Sequence, residues 1–279
     1  MLFSIITINY NNAEGLEGTI QSVVSQQFID YEYIVVDGNS TDDSLDLLKK
    51  YSSYITFYIS EPDKGVYDAL NKGVQVAKGD YIIFMNSGDR FYSENVLNVF
   101  SKVINNQSVD VYYGDSLGIF IDDREDYLIQ QPECLDLNFW LFNSLNHQST
   151  AIKRSLFMEY GMYDDNLKIV SDWKWFFNIY INHRKKFLKI PSILSYYDMH
   201  GVSTNGNFKK VHMQEREDTI KSSFAEYWES YLSIQKYNEL KNEYAGKRFE
   251  DFLLIQKYPI LYRFLKSFMD ILLIFTSRK

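Results

Sequence analysis

The sequence predicts an α/β fold built on a mostly parallel central sheet flanked by helices, with a helical carboxyl-terminal extension. Three observations carry this. Four short runs rich in β-branched and aromatic residues, LFSIITIN (2–9), YEYIVVD (31–37), ITFYIS (55–60) and DYIIFMN (80–86), alternate with segments of helical spacing. The runs are nearly continuous in apolar residues, as expected of strands covered by helices on both faces. Beyond residue 208 the spacing is helical throughout, after a turn-rich boundary at GVSTNGN (201–207). The expected organisation is therefore a catalytic-type α/β domain over 1–204 and a helical extension over 205–279.

Composition narrows the functional classes. The 279 residues are 46% hydrophobic and 17% aromatic, enough to bury a sizeable core. A formal net charge of -8 argues against a nucleic-acid partner, because such proteins need a basic face to displace counterions from phosphates. The single cysteine, Cys134, excludes an internal disulfide and a cysteine-based zinc site and is compatible with the cytosol. The apolar start MLFSIITINYNN has no basic segment before it and is too short to span a bilayer, so it reads as the first strand.

The elements follow in order. After the four strands, VDVYYGD (109–115) reads as another, and IFIDDREDYLIQQ as a hairpin-like excursion. SDWKWFFNIYIN (171–182) reads as a helix with Ser171 as its cap, and KFLKI and ILSYYDM as two further strands. In sheets of this kind ligands bind beyond the carboxyl ends of the strands. The polar residues there are Asn9, Tyr10, Asp37 and the cluster Asn86-Ser87-Gly88-Asp89, which should converge on one crevice.

Each candidate has a plain and a chemical reading. Asp37 is followed by Gly38-Asn39-Ser40-Thr41-Asp42, where Gly38 allows a tight turn and Ser40 or Thr41 can cap the next helix. Asp37 itself either stabilises that turn or accepts a hydrogen bond from a ligand, for instance the N3 proton of uracil, which cytosine lacks. Asp89 beside Asn86 is either a turn former or a hard oxygen ligand for Mg²⁺ or Mn²⁺ shared with a diphosphate. Asp68 and Lys72, four apart on one helix, need no explanation beyond a surface ion pair.

Four stretches, SIITINYNNAEGLEGTIQSVVSQQ, YIVVDGNSTDDS, SEPDKGVYDALNKGVQVAKGDYIIFMNSGD and NHQSTAIKRSLFMEYGMYDDNLKIVSDWKWF, cover most of residues 3 to 177. In that order the sequence resembles the family 2 glycosyltransferases of the bacterial surface-polysaccharide type, inverting enzymes of the GT-A fold. The resemblance implies that Thr7, Asn9 and Tyr10 border a uridine, that Asp37 reads the uracil, and that Asp63 and Asn86 lie in the donor site. Asn86 and Asp89 stand at the ends of the family's Asp-x-Asp-type stretch. Because Asn86 and Gly88 replace acidic residues, Asp89 is left to carry the Mn²⁺ or Mg²⁺ ion.

The same resemblance places the catalytic base at Asp172. Direct displacement at an anomeric carbon needs a carboxylate to take the acceptor's proton on the face opposite the leaving nucleotide. A carboxylate in the first turn of a helix is also held ionised by the helix dipole, which equally explains Asp172 as a helix stabiliser. The resemblance further implies an acceptor side at His147, Gln148 and Trp173. His200, where the family has a glycine in a Gly-Gly-x-Ser segment, becomes an additional metal or diphosphate contact.

Residues 260–275 are strongly apolar but include Arg263, Lys266 and Asp270, too short and too charged for a membrane span. They suit a helix in a membrane interface, where a lipid-linked acceptor would be met, or one docked on the catalytic domain or on a second subunit of a homo-oligomer. The expected location is the cytoplasm, peripheral at the inner face of the plasma membrane in the first case. Rival classes fail on specific grounds. A nucleotidyltransferase needs a basic, Gly-rich loop after the first strand, and NYNNAEGLEG has no Arg or Lys. A dinucleotide oxidoreductase needs G-x-G-x-x-G there. A non-catalytic nucleotide-sugar binder on the same fold remains the alternative, because Gly88 weakens the acidic motif.

Overall fold

The computed structural model describes residues 1–107, 109–120, 124–200 and 209–240. Its strands are β1 (Phe3–Asn9), β2 (Tyr31–Asp37), β3 (Phe57–Ser60), β4 (Tyr81–Phe84), β5 (Arg90–Phe91), β6 (Val111–Ile119), β7 (Tyr127–Ile129), β8 (Thr150–Lys153) and β9 (Phe187–Asp198). The helices are α1 (Ala13–Val24), α2 (Ser44–Lys50), α3 (Val66–Val76), α4 (Val96–Asn106), α5 (Leu137–Phe142), α6 (Ser155–Tyr160), α7 (Ser171–Phe177) and α8 (Lys209–Ser223).

The strands form one sheet in the order β3-β2-β1-β4-β8-β6-β9-β5, with β7 on β6. β1 pairs in parallel with β2 and with β4, and β2 with β3, giving the expected parallel half. The other half is mixed: β8 runs antiparallel to β4 and β6, while β6 and β9 are parallel. The chain winds outward from β1 to β3 and then returns to β4 on the other side of β1, so the order reverses at β1. That reversal opens the crevice in which such sheets bind ligands. The main core lies between the sheet and α1 and α4, where Phe3, Ile5, Leu16, Ile20, Val35, Ile83, Leu97 and Phe100 are all buried.

Several expectations change. β3 is the edge strand, with Phe57 and Tyr58 exposed, so it is not covered on both faces. KFLKI and ILSYYDM form one strand, β9, rather than two. Pro191 is tolerated because the β6–β9 register shifts opposite it, between Tyr113 and Asp115, where a missing N–H breaks no ladder bond. Ser171 is the first helical residue rather than the cap: Val170 holds the cap position, and the Ser171 hydroxyl has no hydrogen-bond partner among the described residues. Over 178–182 that helix widens to a π-type turn. The left-handed residue after β2 is Asn39 (φ 64°), not Gly38. Nor do Ser40 and Thr41 cap α2, which opens from Asp43. Asp68 and Lys72 are an ion pair at 3.5 Å, as the plain reading has it.

The chain divides into two compact units, Met1–Thr219 and Ile220–Lys279. In the second, residues 228–240 are helical and Trp228 stacks on Tyr231 with ring centroids 5.4 Å apart. The turn at 201–207, the expected boundary at 204/205 and the apolar segment 260–275 lie outside the described residues. Among the described residues no helix is long and apolar enough to cross a membrane.

Candidate active site

A cavity of about 690 Å³ opens at the carboxyl ends of β1 and β4 and gathers Asn9, Tyr10, Asp63, Asn86, Asp89, His147, Gln148, Asp172, Trp173 and His200. Of the residues singled out from sequence, Thr7 and Asp37 do not line it. Thr7 is fully buried in β1, its hydroxyl donating to the Met85 carbonyl at 2.7 Å with the Tyr33 hydroxyl at 3.0 Å. It ties the two central strands together.

Asp37 is likewise tied into the protein. One carboxylate oxygen accepts from Asn9 Nδ2 at 2.8 Å and Ser40 Oγ at 2.6 Å. The other accepts from the Ser40 N–H at 2.9 Å and Ser60 Oγ at 2.6 Å. Burial pushes its pKa up, but the bonds from Ser40, Ser60 and Asn9 outweigh that and hold it below the ordinary carboxylate value. In this arrangement all four lone-pair sites are engaged within the protein. What faces the cavity instead is Tyr10, 67% exposed, with Asp63 across from it. A Cβ on Gly38 would meet Asp63 Oδ2 at 2.6 Å and the Tyr10 ring at 3.2 Å. Gly38 thus lets the Tyr10 ring and the Asp63 carboxylate pack close against the backbone after β2. Burial first, then the charges of Asp68 and Asp37, raises the pKa of Asp63 despite the Gly65 N–H and Lys72.

Asp172 stands in the first turn of α7, on the same cavity wall as Tyr67 and His147. Tyr67, at the start of α3, places its hydroxyl 2.9 Å from Asp172 Oδ1. His147 Nδ1 lies 3.5 Å from Asp172 Oδ2, and its Nε2 is 3.1 Å from Asn86 Nδ2. Asn86 Nδ2 can donate to Nε2 in the tautomer whose ring hydrogen sits on Nδ1, facing the carboxylate. Burial raises the Asp172 pKa, but His147, Tyr67 and the Trp173 N–H together bring it below the ordinary value, so Asp172 is ionised at neutral pH. Trp173 is buried, its ring carrying the Arg216 guanidinium at 4.6 Å.

At the β4 end, Asp89 is only 5% exposed, and its Oδ1 accepts from the Asp198 N–H at 3.0 Å. Desolvation lifts its pKa to about 7, with the Asp198 N–H and His147 opposing and the Asp198 charge adding. Asn86 Oδ1 is buried without a partner among the described residues. His200 Nδ1 lies 3.1 Å from Asp198 Oδ1. Hard oxygen donors of this kind suit Mg²⁺ or Mn²⁺. Among the described residues no three His, Cys, Asp or Glu side chains form a closed cage, so ligand oxygens would have to complete the coordination sphere.

The sequence reading missed Tyr67, Lys168, Asp198, His212 and Arg216, all of which line the cavity. His212 and Arg216 are four apart on α8, one face of a helix. The helix is placed by Glu215, which accepts the N–H groups of Lys168 at 2.8 Å and Ile169 at 3.0 Å. Asp198 carried a signal, a carboxylate at a strand's carboxyl end two residues before His200. The α8 residues carried none short of the tertiary fold.

A PGL/p-HBAD biosynthesis glycosyltransferase of Mycobacterium bovis is 28% identical over 211 residues, 74% of this chain and 77% of that protein. An uncharacterized glycosyltransferase of Rickettsia typhi is 30% identical over 246 residues, covering 83% and 71%. Among solved structures, Staphylococcus aureus TarS 1-349 in complex with UDP-GlcNAc matches with a TM-score of 0.63 at 20% identity, over 80% of this chain and 67% of that one. Its complex with UDP is matched over 60% of the neighbour's length. A mannosyltransferase from Pyrobaculum calidifontis, in complex with GDP-Man and Mn²⁺, matches with a TM-score of 0.56 at 13% identity, covering 95% and 83%. The fold is GT-A. The family model for glycosyl transferase family 2 matches residues 4–177, and the chain belongs to that family.

Proposed function

We propose that the protein is an inverting glycosyltransferase that moves a sugar from a UDP-sugar to a hydroxyl of a glycan or lipid-linked acceptor in surface-polysaccharide synthesis. The observation that carries this reading is Asp172: an ionised carboxylate on the cavity wall, fixed by Tyr67 and His147 and open to a ligand. Asp172 takes the acceptor's proton, and the acceptor oxygen attacks the anomeric carbon from the face opposite the nucleotide. That geometry inverts the configuration.

Tyr10 and Asp63 hold the base, the ring by stacking and the carboxylate by accepting a base N–H, and Asn9 contributes the polar edge below them. Asp89 and His200, beside Asn86, would hold a Mn²⁺ or Mg²⁺ ion. Such an ion, when bound, neutralises charge on the departing diphosphate. His147 and Gln148 border the acceptor, with Trp173 behind them. Arg216 gives that wall positive character, which suits an acceptor carrying a phosphate linkage. Burial first, then Arg216, lowers the pKa of His212.

Asp172→Asn tests the reading, because Asn is nearly isosteric but takes no proton at neutral pH. UDP and UDP-sugars should raise the melting temperature of both proteins, while Mn²⁺-dependent UDP-sugar hydrolysis falls by roughly 10²-fold or more in the variant. Turnover near normal in Asp172→Asn would remove it from the mechanism. Binding without hydrolysis or transfer in the parent protein would leave a nucleotide-sugar binder.

A further inference from the structure

The stretch Asn86-Ser87-Gly88-Asp89 holds one carboxylate where a metal and a diphosphate call for more. The fold answers from elsewhere in the chain. Gly88 has φ +104°, a left-handed conformation that glycine adopts without cost. A Cβ built on it would lie 2.5 Å from Asp198 Oδ2 and 3.2 Å from Asp198 Cβ. The Asp198 side chain therefore fills the space that a side chain at position 88 would need.

β9 brings it there. Arg90 and Phe91 of β5 pair antiparallel with Tyr196 and Ser195, so the end of β9 runs back along the Gly88–Asp89 turn. The Asp198 N–H then donates to Asp89 Oδ1 at 3.0 Å, which fixes the two residues side by side. Both line the cavity. Asp89 is more than nine-tenths buried, and its Oδ2 takes no hydrogen bond among the described residues. Asn86 Oδ1, on the same wall, is buried and unpartnered. Two carboxylates packed against each other with spare oxygens repel unless a proton or a cation lies between them.

We propose that Asp198 supplies the second carboxylate of a divalent-cation site with Asp89, and that residue 88 is glycine because Asp198 occupies its side-chain space. The proposal rests on the reading of Asp89 as a metal contact. Two carboxylates with substrate phosphate oxygens are a usual holding for Mg²⁺, so the absence of a closed protein cage among the described residues is consistent with it. His200 can hold the ion through Nε2 while its Nδ1, 3.1 Å from Asp198 Oδ1, orients that carboxylate.

The test is Mn²⁺ binding in the presence of UDP, followed by loss of the free-ion electron paramagnetic resonance signal. Asp198→Asn keeps the backbone N–H on Asp89 and nearly the same shape. Expected is at least a tenfold loss of Mn²⁺ affinity, with metal-free UDP binding within error of the parent and a melting temperature no lower. Gly88→Ala should reproduce the loss by displacing Asp198, and should do so even if Asp198→Asn proves unstable. Parent-like Mn²⁺ affinity in either folded variant overturns the role of Asp198. No Mn²⁺ binding by the parent with UDP overturns the metal reading and this site with it.

Discussion

The Tyr67 hydroxyl lies 2.9 Å from Asp172 Oδ1 and 2.6 Å from the Ile169 carbonyl, and it has one hydrogen for two acceptors. Burial, then the neighbouring Asp172 charge, raises its pKa far above the ordinary phenol value, so that hydrogen stays on. With Asp172 ionised, Tyr67 donates to it. With Asp172 protonated, the acid can donate to Tyr67 while Tyr67 donates to Ile169, and every group is paired.

Tyr67→Phe should therefore change the base without emptying the site, since the ring contact with Tyr163 at 5.6 Å is kept. A hydrogen bond to a charged group is worth about 1.5–3 kcal/mol, or about 1–2 pKa units. Losing one that favours the ionised form raises the Asp172 pKa. The acidic limb of the pH profile of kcat should move up by about one unit, with UDP affinity unchanged. A lower melting temperature with an unmoved limb would make Tyr67 a purely structural bond to Ile169.

Asp89 sets a pH dependence of opposite kind. Its folded pKa of about 7 exceeds the unfolded carboxylate value of about 3.9, so the fold favours the protonated form. The stability it contributes is complete below the unfolded value and is lost as pH rises through about 7. Metal-free protein should accordingly melt lower at pH 8 than at pH 5.5 by this contribution. Asp89→Asn should lack it, so the difference in melting temperature between variant and parent should grow in the variant's favour across that window. A constant difference from pH 5.5 to 8 would show that Asp89 ionises normally.

Base selection should follow Asp63 and not Asp37. Asp37→Asn replaces an acceptor of four hydrogen bonds by a group that must also donate, against hydroxyls and an N–H that are already donors. The expected result is a melting temperature several degrees lower, for a cost of about 1–3 kcal/mol, with UDP still preferred over CDP in the folded protein. Asp63→Asn should keep the fold and lose that preference. Gly38→Ala should weaken UDP binding at least tenfold, because its methyl would push Asp63 and the Tyr10 ring from their places. Unchanged preference in Asp63→Asn would remove Asp63 from base recognition.

These contrasts show what a linear reading can and cannot reach. The parallel half of the sheet was legible because β1, β2 and β4 are buried runs with polar residues at their carboxyl ends, and Asn9, Asn86, Asp89 and Asp172 followed from position and motif order. The bonds of Asp37 were not legible because they come from Ser60, 23 residues away, and Asn9, 28 residues away. Asp198 and Tyr67 were missed because their chemistry depends on partners 109 and 105 residues distant, Asp89 and Asp172. Strand pairing, not local pattern, brings such groups together.

Glu215 offers a test of how the base itself is positioned. It accepts the N–H groups of Lys168 and Ile169, four and three residues before Asp172, while the Ile169 carbonyl receives the Tyr67 hydroxyl. The loop into α7 is thus clamped from α8 on one side and α3 on the other. Glu215→Gln leaves one carbonyl oxygen for two donors and turns an amide NH₂ toward the second, an unpaired contact costing about 1–3 kcal/mol. The melting temperature should fall by several degrees, at roughly 2–4 °C per kcal/mol for a domain of this size. Because the bonds made directly by Asp172 are intact, the acidic limb of the pH profile should stay in place while kcat drops several-fold through looser placement of the carboxylate. Parent-like stability and turnover in Glu215→Gln would show that α8 does not hold the loop, and a shifted acidic limb would show that Glu215 acts on the charge of Asp172 and not on its position.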